Sequence, residues 1–217
     1  LSTGIDKLDE QTIKGIPKGS TIVYLGDPLS MANLFLVRLA NTPRNTHYTT
    51  ITRNEYSIKK EIKQAREVTE DERAEFGTVE VHKHYQSQNN LSSDINKYID
   101  RPGTEENLII DNFSIVEDRL SHNDYERVVR DTIKATRQRN GLTVLYLLKN
   151  NISELTLHER DLLNSADGVF RFTSQYEQGN RKDRLQIYKL RGKRNIPEGV
   201  INLKIGKKIT VSSSKKI

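Results

Sequence analysis

Two periods of hydrophobic positions alternate along the chain. Short blocks of apolar and β-branched residues are followed by longer stretches in which apolar residues recur every three or four positions. The first block, Thr21–Leu25, reads as a buried strand. A turn at Gly26-Asp27-Pro28 follows, and the apolar run Leu34–Ala40 predicts a helix from about Ser30 to Ala40. After a turn at 41–45, His47–Thr52 alternates as a second strand. Ile58, Ile62, Ala65 and Val68 predict a polar helix from Ser57 to about Glu75. Thr78–His84 reads as a short strand, 86–90 as a polar loop, and Leu91 to about Ile99 as a short helix capped by Ser92 or Ser93. Asn107–Asp111 is an apolar strand ending in a carboxylate. Asp124–Asn140 is amphipathic, with Tyr125, Val128, Val129, Ile133 and Ala135 inward and Arg127, Arg130, Lys134, Arg137 and Arg139 outward; Gly141 is the expected terminator. Leu142–Leu148 is almost wholly apolar, as a central parallel strand should be. A helix at Leu155–Ser165 precedes strands at Val169–Ser174, Asp183–Leu190, Val200–Ile205 and Ile209–Ser212. Strand–helix units followed by hairpins define an α/β class: a mainly parallel sheet between helices, with a C-terminal antiparallel β extension.

At 217 residues this reads as a single domain over 1–212 with a basic tail at 213–217. Hydrophobic residues make up 34 %, enough for a core. No apolar run reaches membrane-spanning length and no signal peptide is visible, so a cytoplasmic protein without membrane partners is expected. With no cysteine, disulfides and thiolate metal sites are excluded. The net charge of +6 argues against a salt-adapted acidic proteome, and it is uneven. From Arg181 onward there are 12 Lys/Arg against 2 Asp/Glu; the rest has 23 against 27. Arg181, Lys182, Arg184, Lys193 and Arg194 are therefore candidates for binding an anionic partner, nucleic acid or an acidic protein. His82 and His84 share a strand face, but no third ligand is suggested; they read as exposed histidines, and no metal site is expected.

Strand, glycine turn and helix around residue 26 have the layout of a phosphate loop, G-x-x-x-x-G-K-[ST]. In that loop backbone N–H groups wrap the phosphates, Lys neutralises charge and the hydroxyl holds Mg²⁺. The window here is Gly26-Asp27-Pro28-Leu29-Ser30-Met31-Ala32-Asn33, with Met31, Ala32 and Asn33 at the Gly, Lys and Ser/Thr places. Upstream stand Ser2-Thr3-Gly4-Ile5-Asp6-Lys7-Leu8-Asp9 and Gly15-Ile16-Pro17-Lys18-Gly19-Ser20. With these blocks the chain resembles the archaeal and bacterial KaiC-like proteins of the RecA superfamily, whose openings read S-T-G-[IF]-x-x-L-D, G-I-P-x-G-S, then the phosphate loop. The resemblance covers roughly 1–58 and 107–210 and implies a RecA-like P-loop NTPase fold.

It also assigns roles. The family's Glu pair, one of which activates water, falls on Thr52 and Arg53, neither of which serves as a base at neutral pH; Glu55 is displaced by two residues and reads as a helix-start residue. Asp111 resembles the Walker B carboxylate that orients Mg²⁺. Arg184-Leu-Gln-Ile-Tyr-Lys-Leu-Arg-Gly192 resembles the family strand whose Lys and Arg reach a neighbour's γ-phosphate, which makes Lys189 and Arg191 candidates for a subunit interface. No catalytic residue survives and no cofactor is expected, ATP with Mg²⁺ being the group the family site would take. The expected function is a catalytically inactive pseudo-ATPase acting in regulation or assembly, in a homo- or hetero-oligomer with RecA/KaiC-like proteins. The alternatives are a DNA-binding RecA-type accessory protein of the recombinase-paralog kind, and a residual ATP binder or slow ATPase. The small aromatic content, 6 % without Trp, leaves few stacking platforms for single strands.

Overall fold

The computed structural model describes residues 1–3, 5, 8–27, 30–67, 75–84, 91–149, 152–177, 180–193, 200–205 and 209–212. In chain order the elements are β1 (Ser20–Gly26), α1 (Ala32–Ala40), β2 (Thr46–Thr50), α2 (Glu55–Glu67), β3 (Val79–Lys83), α3 (Leu91–Asp100), β4 (Asn107–Asp111), α4 (Ser114–Arg119), α5 (His122–Arg139), β5 (Leu142–Leu148), α6 (Leu157–Ser165), β6 (Gly168–Glu177), β7 (Asn180–Leu190), β8 (Val200–Ile205) and β9 (Ile209–Ser212). A helical turn at Leu8–Ile13 precedes them.

The nine strands form one sheet in the order β3-β2-β4-β5-β1-β6-β7-β8-β9. The first six are parallel, and β7, β8 and β9 continue the sheet antiparallel. β1 is buried throughout because β5 and β6 flank it. Side chains alternate between faces, so each central strand feeds two cores. Ile22, Tyr24, Ile109, Val144 and Tyr146 pack with α1 and α2 on one face. Val23, Leu25, Leu108, Ile110, Leu145 and Leu147 pack with α3, α4, α5 and α6 on the other. Among the described residues no helix is long and apolar enough to cross a membrane.

Several boundaries move for identifiable reasons. α5 starts two residues early because the Ser121 side chain accepts from the Asp124 N–H and caps it. It ends on Asn140, which takes the left-handed conformation (φ 58°) expected of Gly141. Gly141 is needed for another reason: a Cβ there would lie 1.8 Å from the Glu106 carbonyl oxygen. Arg139, expected outward, is 7 % exposed; it donates to the Ile99 carbonyl and to the Thr136 and Thr143 hydroxyls, and burial lowers its pKa to about 10. Thr132 and Thr136, not Ile133 and Ala135, are fully buried on this helix. α3 begins at Leu91, so Ser92 and Ser93 lie inside the helix instead of capping it. α2 ends at Glu67 within the described residues; the expected continuation over 68–74, the loop at 86–90 and the tail at 213–217 lie outside them. α4 falls where the sequence pattern suggests nothing regular.

Gly141→Ala should lower stability by about 2 kcal/mol or more, because backbone has to move to make room. Gly103→Ala, where the added Cβ meets only the Glu106 side chain at 3.4 Å, should be nearly neutral. Urea denaturation of the two variants reads the difference.

Candidate functional site

The carboxyl ends of the parallel strands are where ligands bind in open α/β sheets, and the loop from β1 to α1 opens there. Asp27 N–H donates to the Phe172 carbonyl (3.4 Å), Ser30 N–H to the Asp27 carbonyl (2.9 Å), and Ser30 Oγ to that same carbonyl (2.6 Å). The Ala32 N–H, at the start of α1, is taken by Ser30 Oγ at 3.2 Å. The N–H groups of Asp27, Ser30 and Ala32 are thus taken within the chain. Pro28 and Leu29 lie outside the described residues.

Space at this loop is filled by aromatic rings. A Cβ on Gly26 would lie 2.6 Å from Tyr146 Cε2 and 2.7 Å from both the Tyr146 hydroxyl and the Ala32 Cβ. Ala32 itself is 1 % exposed, and its carbonyl accepts from the Tyr24 hydroxyl at 3.3 Å. Tyr24 stacks on Phe35 at 5.1 Å and sits 5.6 Å from Tyr146. Met31 precedes α1 without a capping side chain, and Asn33 Oδ1 is buried with no hydrogen-bond partner among the described residues.

At the end of β4, Asp111 is 1 % exposed. Its Oδ2 accepts from the Tyr48 hydroxyl at 2.8 Å and lies 3.6 Å from Arg53 Nη1. Burial pushes the Asp111 carboxyl above its ordinary range, against the Tyr48 hydrogen bond and the Arg53 charge. Arg53 is placed by local chemistry. Thr50 Oγ1 accepts from the Arg53 N–H (2.9 Å), which turns the chain just after β2, and the guanidinium then bridges Asp111 to Glu61 of α2 at 2.5 Å. Burial alone would lower the Arg53 pKa, but the Glu61 hydrogen bond and the Glu61 and Asp111 charges hold it above its usual value. Thr52 is exposed in the bend, and Glu55 opens α2 in an ion pair with Lys59. β2 therefore stops at Thr50, two residues short of the expected strand.

Lys189 and Arg191 do lie on one side of the chain, and both turn back onto α6. Lys189 Nζ donates to the Leu163 (3.2 Å) and Asn164 (2.7 Å) carbonyls, and Arg191 Nη2 to the Asn164 carbonyl (3.2 Å). Arg191 Nη1 also lies 3.6 Å from Asp167. These cations meet the negative end of the helix dipole. Of the basic candidates, Arg181 pairs with the buried Asp183 (2.9 Å), Arg184 donates to Gln175 (2.5 Å), and Lys193 donates to the Lys14 carbonyl (3.0 Å). Lys182 also has a bonded or electrostatic partner, and Arg194 lies outside the described residues.

The expectation of exposed histidines without a third partner does not hold. His84 is 2 % exposed, edge-on to Tyr98 at 6.0 Å, and burial lowers its pKa. His82 is 20 % exposed and clusters with His47 and Glu80. Parallel pairing of β2 with β3 places His47 opposite Glu80, a neighbourhood no spacing within either strand reveals.

A parallel sheet with a strand–loop–helix unit at its centre, a carboxylate ending β4 and three antiparallel strands beyond β6 is the RecA-type architecture of KaiC-like proteins. The chain is similar in structure to the KaiC-like protein PH0186 from the hyperthermophilic archaeon Pyrococcus horikoshii OT3, with a TM-score of 0.73 and 19 % identity over 98 % of each chain. At that identity the likeness is one of fold. The whole chain, residues 1–217, belongs to the family described as Family of unknown function (DUF7125). No curated protein matches it in sequence.

An acid whose folded pKa lies above its unfolded value holds its proton more tightly when folded, so its contribution is fully present at low pH and is lost as pH rises from the unfolded to the folded pKa. Asp111 has this sign. Arg53→Ala should raise the Asp111 pKa further. The fall in stability should then extend to higher pH and reach about 3 kcal/mol relative to the native protein at neutral pH. Urea denaturation between about pH 4 and 8 checks this, and adding Asp111→Asn to Arg53→Ala should abolish the extra pH dependence.

Proposed function

We propose that the protein is a KaiC-like domain that does not hydrolyse ATP and acts as a regulatory or assembly component through RecA/KaiC-like protein partners. The observation that carries this reading is the Arg53 guanidinium, 3.6 Å from Asp111 and paired with Glu61. Phosphoryl transfer rests on positioning and electrostatic stabilisation around a phosphate–Mg²⁺ complex. A carboxylate already facing an internal cation is poorly suited to hold Mg²⁺. Ala32 and Asn33 offer neither the ammonium nor the hydroxyl that the complex uses.

The β1–α1 loop supports the same view, and so do Lys189 and Arg191, which lie at the opposite, amino end of β1 and β6. The Ser30 and Ala32 N–H groups close on the Asp27 carbonyl and the Ser30 hydroxyl, and the Tyr146 ring lies against Gly26. Lys189 and Arg191 are engaged with the carbonyls of α6 in their own chain. On this reading a neighbour in an assembly would meet them as part of a packed surface, and the domain needs no bound nucleotide to fold.

Calorimetric titration with ATP and Mg²⁺ tests the proposal. The native protein should give no binding heat up to about millimolar ATP. A Met31→Gly/Ala32→Lys/Asn33→Thr variant carrying Arg53→Glu, checked for native circular dichroism, should bind. Micromolar binding by the native protein would overturn the proposal.

A further inference from the structure

At the far edge of the sheet, away from the crevice, three donor atoms converge between β2 and the edge strand β3. His47 Nδ1 lies 3.3 Å from His82 Nε2, and Glu80 Oε2 lies 3.6 Å from each of them. A tetrahedral ion with bonds of about 2.0–2.1 Å keeps its donors about 3.4 Å apart. The triangle therefore has the size of three corners of such a site. We propose that His47, His82 and Glu80 bind a divalent transition-metal ion of the zinc class, and that Arg101 competes with it.

The surroundings have the features such a site needs. Sheet register fixes the spacing: His47 is the Cα partner of Glu80, and Thr49 is the partner of His82, so the three ligands share one face. His47 presents its other nitrogen, Nε2, to Glu106 Oε2 at 3.0 Å. Glu106 is held in turn by the Gly103 N–H (2.7 Å) and the Asn45 amide (3.1 Å). A carboxylate behind a ligating histidine fixes the ring and its tautomer, so that Nδ1 faces the ion with its lone pair. The two imidazoles are stacked at 5.6 Å and are 12 and 20 % exposed, while Glu80 is 58 % exposed. The ion would thus have two shielded nitrogen ligands, one carboxylate at the solvent edge and a fourth position open to water. Nitrogen and carboxylate donors without thiolate suit Zn²⁺ and its neighbours.

Arg101 supplies the competition. Its Nη1 lies 2.8 Å from His82 Nδ1. A guanidinium only donates, so His82 accepts on Nδ1 and carries its proton on Nε2, directed at His47 Nδ1. His47 then donates from Nε2 to Glu106. Without metal the edge is therefore a hydrogen-bond chain from Arg101 through His82 and His47 to Glu106. For the ion to bind, the His82 proton moves to Nδ1, freeing Nε2, and Arg101 withdraws. Arg101 is exposed, so its guanidinium can turn into solvent when the ion takes its place at His82.

The test is a titration of the full chain, without an affinity tag, with Co²⁺ and Zn²⁺. One equivalent of Co²⁺ should give the intense visible bands of a four-coordinate ion, bleached by Zn²⁺. His47→Gln and His82→Gln should each weaken binding about 100-fold or more, and Glu106→Gln about 10-fold. Arg101→Ala should tighten it several-fold, and His122→Ala, on a different element, should leave it unchanged. Circular dichroism of each variant separates lost ligands from lost fold. Absence of binding by both the native protein and Arg101→Ala at about millimolar metal overturns the site, as does binding that His47→Gln and His82→Gln leave unchanged. An Arg101→Ala affinity equal to the native one overturns the competition.

Discussion

A carboxylate buried at the end of a central strand is costly unless a positive charge or hydrogen-bond donors stand beside it. Asp111 is that carboxylate, and its compensation organises this end of the molecule. Tyr48 from β2 donates to it, Arg53 from the bend after β2 faces it, and Glu61 from α2 fixes Arg53. Strand, bend and helix are tied together by one ionic cluster. A bound cation could balance the same charge in a related site; here the chain supplies its own.

The same economy holds elsewhere along the strand ends. Lys149, just after β5, pairs at 3.0 Å with Glu159, which is fully buried and also completes the capping box of α6 with Thr156. The other end of α6 is covered by Lys189 and Arg191. Charges that a family resemblance would send toward phosphates are used to hold helix ends and strand ends in place. The aromatic stack of Tyr24, Phe35 and Tyr146 closes the space behind the β1–α1 loop. Lys189 and Arg191 act at the amino end of β6, while at the carboxyl ends of the strands the Asp111 cluster balances charge and the aromatic stack supplies packing.

The histidine edge obeys different rules. β3 is an edge strand, and its outer residues are polar and half-exposed. There the hydrogen-bond chain of Arg101, His82, His47 and Glu106 links the residue just after α3, β3, β2 and the turn before β4. It is separated in the sheet from the Asp111 cluster by position along the strands, since His47 and Glu106 lie at the amino ends of β2 and β4 and Asp111 at the carboxyl end of β4.

By itself the sequence determined the elements and their class. Apolar runs such as Leu142–Leu148 and Val200–Ile205 mark strands because burial on a sheet requires them, and both match to the residue. The blocks at 2–9 and 15–20 carried the fold family, and Ala32, Asn33, Thr52 and Arg53 were legible as departures from its site because each is a local chemical fact. Only the tertiary structure decided what those departures do. Arg53 and Asp111 are far apart in the chain and meet because β2 and β4 are neighbours. The burial of Arg139 follows from its approach to Ile99 and Thr143, although a helical wheel places it outside. His47 and His82 come together through register between strands, which no spacing within a strand encodes. Periodicity reports which face a residue occupies; it does not report which residue of another element stands opposite, and charge pairing depends on that second quantity.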